Sequence, residues 1–385
     1  LTTTPEAIHN QLQQTVLVVE VTTTKLSAKT HPRLHALSTI RARVEKSLPM
    51  KDDGGWFPKA GEELSIVSPG GELNRLGALY PGLPRPFVLQ KYRVYLKRPL
   101  ENHNEDPSLF EITGFESGLV SLQPGRAYSR NRTNGSNGTG NGPFLYWNES
   151  FIPIPYYISA PSFKNFPEAA EAIDASFKVW RDPGDVRIEF LGMGCSSTTL
   201  NENDGINNVI LVKDNWPFDP AAIAITRNFY IADTSEKGGM ILDTDILLNA
   251  TYHEFTTSDE PGKHDIQNIV THEVGHLIGL GHETDPVDPD ATMFAVAASN
   301  ETKKRVLHAN DLRGLHDAYS GVGQKFRAQA NRCNLRDGPA GCAAIHENAS
   351  SQVGSVVFMT FLLLTLSAAR MRMRGQSTFK LTSTS

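Results

Sequence analysis

Apolar and polar positions alternate through the first third of the chain. Short β-branched or apolar runs at residues 15–21, 64–67, 87–96 and 112–122 are separated by turn sequences such as Ser68-Pro69-Gly70-Gly71. Period-two runs broken by Gly and Pro predict strands, and strands at this spacing predict a small all-β barrel or sandwich over residues 1–128. Residues 129–143 lose the pattern and turn to Asn, Gly, Ser and Thr, which reads as a flexible linker and a domain boundary. The pattern returns over residues 144–322 with a mixed period. A strand at 152–160 is followed by a helix capped by Asn165, with Phe166, Ala170, Ile173, Phe177 and Trp180 on one stripe. Strand-like runs follow at 186–191, 209–212, 222–231 and 240–248. A helix capped by Asp265 comes next, with Ile266, Val270, Val274 and Leu277 facing the core, and a final helix lies near 310–319. Residues 323–352 read as a stalk. Residues 353–374 join an uncharged apolar run to Arg370, Arg372 and Arg374.

The helix after Asp265 carries chemistry. Its sequence runs His272-Glu273-Val274-Gly275-His276-Leu277-Ile278-Gly279-Leu280-Gly281-His282. Residues four apart on a helix share a face, so His272 and His276 can ligate one metal ion. Gly279 tolerates positive φ, which ends the helix and lets the chain bring back His282 as a third nitrogen. Three protein ligands leave a fourth position for water, the arrangement of a catalytic zinc rather than a structural one. Glu273 stands beside the ligands and can take a proton from that water. Met293, ten residues or so downstream, is placed for a turn beneath the metal, and Phe294 and Val296 after it are candidates to line a substrate side-chain pocket.

The long histidine motif with its downstream methionine resembles the metzincin metallopeptidases, and the stretch 144–322 is most similar to matrixins. Asp311-Leu312 and Tyr319 in the last helix carry the same likeness. The resemblance implies an α+β catalytic domain with a twisted, mostly parallel five-stranded sheet and three helices. It further implies a metalloendopeptidase that holds one catalytic Zn2+ on His272, His276 and His282, with Glu273 as general base and Met293 in a Met-turn. A peptide would lie extended on the edge strand near 222–225. Asp243 and Asp245 would be the positions for Ca2+. Two departures stand out. Glu283 follows the third histidine where matrixins usually carry serine, and Ala295 stands where astacins place a tyrosine ligand. No cysteine lies upstream of Cys195, so a cysteine-switch prodomain is missing.

Composition narrows the partners. A net charge of −5 with no basic stripe argues against nucleic acid and leaves protein or peptide as the substrate class. Three cysteines, Cys195, Cys333 and Cys342, form no CxxC pair; Cys333 with Cys342 would close a small loop and leave Cys195 a buried thiol. Seven Asn-x-Ser/Thr sequons, at Asn131, Asn134, Asn137, Asn148, Asn249, Asn300 and Asn348, favour a glycoprotein exported through a glycosylating pathway. The chain begins at Leu1 with no signal peptide in view. The 353–374 segment, apolar all round and then basic, reads as a membrane anchor or sorting tail with the catalytic unit outside. The competing reading is a surface adhesion protein with a vestigial zinc domain; an intact Glu273 argues against it.

Overall fold

The protein is described here by a computed structural model. It describes residues 15–30, 36–51, 55–81, 91–98, 109–112, 119–121, 129–135, 140–183, 186–197, 203–233, 235–283, 288–320 and 333–335. Most of the stalk, Cys342 and the whole 353–374 segment lie outside the described residues. No helix among the described residues is long and apolar enough to cross a membrane.

The N-terminal strands are β1 (Leu17–Thr30), β2 (Ala36–Pro49), β3 (Glu63–Pro69), β4 (Gly71–Leu73), β5 (Leu76–Leu79), β6 (Lys91–Lys97), β7 (Leu109–Ile112), β8 (Leu119–Ser121) and β9 (Ser129–Arg130). Pairings run β1-β2-β3-β7-β6, and β6 pairs back to β1, so the ring closes. The β3–β7 contact is parallel and the others in the ring are antiparallel. Taking β6 and β7 as fourth and fifth, this is the 1-2-3-5-4-1 order of a five-stranded Greek-key barrel of OB type. Strict alternation along β1 points Leu17, Val19 and Val21 inward, against Val44, Ile66, Val94, Leu96 and Phe110. The strand β2 was not anticipated, although Ala36, Ser38, Ile40, Ala42 and Val44 alternate as cleanly as β1.

The second sheet contains β10 (Ile154–Ser159), β11 (Phe190–Ser196), β12 (Asn208–Val212), β13 (Ala224–Ile231) and β14 (Ile241–Asn249). The order is β11-β10-β12-β14-β13-β5-β4. The first four are mutually parallel and β13 is antiparallel. Five strands were expected; among the described residues the sheet has seven, because the hairpin β4–β5, inserted between barrel strands β3 and β6, adds to the edge of β13. β5 pairs with Asn228–Ile231. Glu72 on this hairpin accepts from the Tyr230 hydroxyl at 3.0 Å and from the Asn134 N–H at 2.5 Å. One carboxylate thus joins three parts of the chain.

The helices are α1 (Ala160–Phe163), α2 (Ala169–Arg181), α3 (Ile266–Leu277) and α4 (Ala309–Tyr319). Asn165 does not cap α2. The helix starts later, with Glu168 at its N-cap, because Pro167 forces Phe166 out of helical geometry and into a turn bonded to Phe163. The expected stripe survives in part: Ile173, Phe177 and Trp180 pack between the sheet and α3. Likewise the strand expected from 186 starts at Phe190, while Val186 makes only an isolated bridge with Ser320.

The expected Cys333–Cys342 pairing is overturned. Cys333 bonds Cys195 on β11, because α4 returns the chain alongside Val186 and Arg187. With a sequence separation of 138, the loop-entropy model gives a stabilisation of about 5 kcal/mol. The stretch read as a flexible linker is also tied down where it is described: Ser129–Arg130 pair with Leu280–Gly281, and the Thr133 N–H donates to the Pro143 carbonyl at 2.9 Å.

The hairpin contact is testable at Gly77. A Cβ there would stand 2.2 Å from Cζ of Tyr230. Gly77→Ala should therefore cost about 1–3 kcal/mol through forced repacking, read from denaturant melts of the full chain. Unchanged stability would mean that β5 does not lie on β13.

Candidate active site

Helix α3 begins where Asp265 accepts the Asn268 N–H at 2.7 Å, a side-chain N-cap, and Asp265 is itself paired with Arg305 at 2.6 Å. Its other end carries the motif. Gly279 has φ of 92°, and a Cβ there would lie 2.5 Å from the Leu145 carbonyl oxygen, so only glycine fits the turn. Carbonyls at and just beyond this end find partners elsewhere in the chain. The Trp147 indole donates to Leu277 at 2.9 Å, the Tyr319 hydroxyl to Ile278 at 2.8 Å, and the Asn131 backbone and side-chain amides to Gly279 and Leu280, each at 2.8 Å.

That turn delivers His282 to His272 and His276. The Nε2 of His282 is 3.0 Å from the Nε2 of each of the other two. Nδ1 of His272 lies 2.6 Å from the Thr292 carbonyl and Nδ1 of His276 lies 2.9 Å from the Leu280 carbonyl. A carbonyl can only accept, so both Nδ1 atoms carry the hydrogen and both Nε2 atoms present lone pairs. Burial, and then the neighbouring imidazoles, hold the pKa of His272 and of His276 well below the usual histidine range. Three nitrogens about 2.1 Å from one tetrahedral zinc would stand about 3.4 Å apart. The three imidazoles converge, and the two on the helix have their second nitrogens pinned to carbonyls, an arrangement that fits a zinc ion.

Beneath the histidines lies Met293. A Cβ on Gly275 would come 2.2 Å from the Met293 sulfur, which places the sulfur directly against the helix. Asp311 on α4 fixes this turn, its carboxylate accepting the N–H groups of Thr292 at 2.7 Å and Met293 at 3.0 Å. Phe294 and Val296 follow, both half-buried; the Val296 carbonyl accepts from the buried ammonium of Lys304 at 2.8 Å. Residues 147–320, under half of the 385-residue chain, match the family model described as matrixin. They form a matrixin-like metzincin domain. No curated protein matches the chain.

Within the matrixin-like domain, β13 contributes more than its sequence announced. Thr226 and Asn228 are fully buried and share the face toward α3. The Thr226 hydroxyl lies 2.7 Å from Oε2 of Glu273, and Asn228 donates to the His276 carbonyl at 2.9 Å. Thr226 and Asn228, two apart and so on one face of the strand, were the available signal. The edge expected to receive substrate is not accessible here. Ala222, Ile223, Ala224 and Ile225 have no exposed surface, and Ala222 and Ile225 pack in a cluster with Tyr80, Trp216 and Phe218. His272, Glu273 and His276 are also fully buried and His282 is 4 % exposed.

The acidic pair on β14 divides. Asp245 is bonded to Arg227 at 2.7 Å and to the Asn208 N–H at 3.1 Å. Asp243, with no exposed surface, has neither carboxylate oxygen satisfied by a geometrically sound hydrogen bond. Burial, and then the charge of Asp204, raise its pKa, with Arg227 opposing. Among the sequons, Asn249 is fully buried and donates to the Ala222 carbonyl at 2.6 Å, and Asn134 is nearly so; neither can take a glycan in this fold.

His264, just before α3, gives a pH test. Burial, then His253, lowers its pKa to about 4 from 6.5. Below about 6.5 the unfolded chain binds a proton that the folded chain refuses, so stability falls as pH drops toward about 4. His272 and His276 act with the same sign. His264→Asn should make the fall in stability across that interval shallower, measured by denaturant melts; an unchanged slope would show that His264 is not buried neutral.

Proposed function

We propose that this protein is a zinc-dependent endopeptidase. The observation that carries the reading is the convergence of three buried imidazole Nε2 atoms with a glutamate next to the first of them on the same helix. His272, His276 and His282 would hold the metal, two of them with their tautomers already fixed. Zinc bound there would polarise the scissile carbonyl and lower the pKa of its water. Glu273 would accept the water proton and return it to the leaving amine. Met293, pinned through Asp311, supports the floor under His276, and Phe294 and Val296 would face the substrate side chain. The burial of these residues means that some covering element must move before a peptide can enter. The Cys195–Cys333 bond supports an oxidising compartment and therefore extracellular or surface substrates. A vestigial zinc domain on an adhesion protein would have no reason to keep both the base and the carbonyl partners of the ligands.

Two substitutions test the roles separately. Glu273→Ala should retain zinc and lose about 100- to 10,000-fold in hydrolysis of a mixed peptide library. His282→Ala should lose the metal, measured by elemental analysis after gel filtration. Near-normal turnover in the first, or stoichiometric zinc in the second, would overturn the assignment.

Calcium is the second ion we propose, at Asp243 on the face of the sheet near Asp204. A buried carboxylate with neither oxygen satisfied is costly as an anion unless a cation meets it. Millimolar calcium should raise the melting temperature of the wild type but not of Asp243→Asn. Equal shifts would place any calcium elsewhere.

A further inference from the structure

The role assigned to Glu273 leaves open how one of its two oxygens is selected. A free carboxylate in a cleft can rotate and present either oxygen, and each rotation takes the base out of line with the water it must deprotonate. Glu273 sits in the middle of α3, fully buried, and its backbone is held by the helix. Its side chain is met by the strand behind it. The Thr226 hydroxyl, also fully buried, is 2.7 Å from Oε2 and 3.0 Å from the backbone carbonyl oxygen of the same residue. A hydroxyl has one hydrogen. The carboxylate is the stronger acceptor and the nearer one, so the hydrogen goes to Oε2.

The strand holding Thr226 is itself fixed to the helix two residues on. Asn228 donates to the His276 carbonyl at 2.9 Å and accepts from the Thr244 hydroxyl at 2.9 Å. Thr226 and Asn228 therefore brace the base and the second ligand from one rigid edge. The hydroxyl cannot drift from Glu273 without breaking the neighbouring contact as well.

We propose that Thr226 is the positioning residue for the general base: its hydroxyl holds Oε2 of Glu273, so that Oε1 would accept the proton of the attacking water and return it to the leaving nitrogen. The inference rests on the peptidase reading given above. The water O–H bond would break as its oxygen bonds to the scissile carbonyl carbon and an O–H bond forms at Oε1; that proton would then pass to the amine nitrogen as the C–N bond breaks. Thr226 keeps its own hydrogen throughout. Because Oε2 stays engaged, the proton cannot settle on the oxygen facing the strand, from which it could not reach the substrate.

Thr226→Val keeps the volume and β-branching but removes the hydroxyl. The test compares the wild-type full chain, Thr226→Val, Thr226→Ser and Glu273→Ala for zinc content, thermal melting and steady-state hydrolysis of fluorogenic peptides from a mixed library. Thr226→Val should lose about 10- to 100-fold in kcat, the size typical for a group orienting a catalytic side chain, with KM within about twofold and one zinc per chain. Thr226→Ser, which restores the hydroxyl, should recover most of the rate. The proposal is overturned if Thr226→Val turns over like wild type, if its loss appears only in KM or zinc content, or if the serine variant is as slow as the valine one. An active wild type with an inactive Glu273→Ala and an unimpaired Thr226→Val would sink the role of Thr226 alone. A wild type whose zinc supports no hydrolysis, or an active Glu273→Ala, would sink the peptidase reading and this proposal with it.

Discussion

The catalytic half depends on where the carbonyl oxygens at the end of α3 go. A helix that stops inside a protein leaves carbonyls without partners, and each one buried unsatisfied costs about 1–3 kcal/mol. Here the partners come from far away in sequence. Asn131 reaches in from the segment that precedes the domain, Trp147 from the domain's first residue, and Tyr319 from the last helix. The same bonds that satisfy the helix end also set the course of residues 279–282. His282 arrives beside His272 and His276 because the turn is anchored on three sides. The Asp311 carboxylate, in the first turn of α4, does the equivalent work for the Met293 turn. Geometry around the metal position is thus set by hydrogen bonds to backbone, not by the histidines themselves.

A second constraint joins the barrel to the catalytic sheet. An antiparallel edge strand such as β13 presents unpaired N–H and C=O groups that invite pairing. In this chain the hairpin between β3 and β6 occupies half of that edge, and Glu72 ties the hairpin both to Tyr230 and to Asn134. The arrangement explains why Gly77 has no side chain: the Tyr230 ring lies over it. It also means that the two halves share a sheet, so the boundary suggested by the Asn/Gly-rich stretch is a change of composition more than a joint. The exposed Arg75–Asp233 pair adds little to the docking by itself, since a surface ion pair is worth about 0–1 kcal/mol.

Much of the site was legible because its spacing is local. His272 and His276 are one helical turn apart, Gly279 must break the helix, and His282 follows within reach; periodicity alone places them. Asp265 announced the start of α3 by residue type and does cap it. What escaped was non-local. Nothing near Cys195 in sequence indicates that Cys333 will come beside it, because that depends on α4 running back along Val186 and Arg187. The hairpin at 71–79 looked like one more turn of the barrel, since a short strand does not reveal which sheet it will join. The helix expected from Asn165 was misplaced for a local reason: Pro167 overruled the better capping residue two positions before it. In the Asn/Gly-rich stretch, residue type suggests flexibility, but it does not show that Asn131 spends its amide on the helix end.

The closed state of the site has a physical consequence for how it works. His272, Glu273 and His276 have no surface open to solvent, and the strand expected to align a peptide is covered by apolar packing that includes Tyr80 from the barrel side. Neutral imidazoles are what such an interior tolerates, which agrees with the depressed pKa of both helical ligands. Two lone pairs turned toward a third nitrogen at 3.0 Å form a set that a shared cation would satisfy. Because the ligands are assembled by the fold, the free energy of binding a metal there counts toward folding. An ion must then enter either before residues 279–282 close over the helix end or through a motion that reopens them.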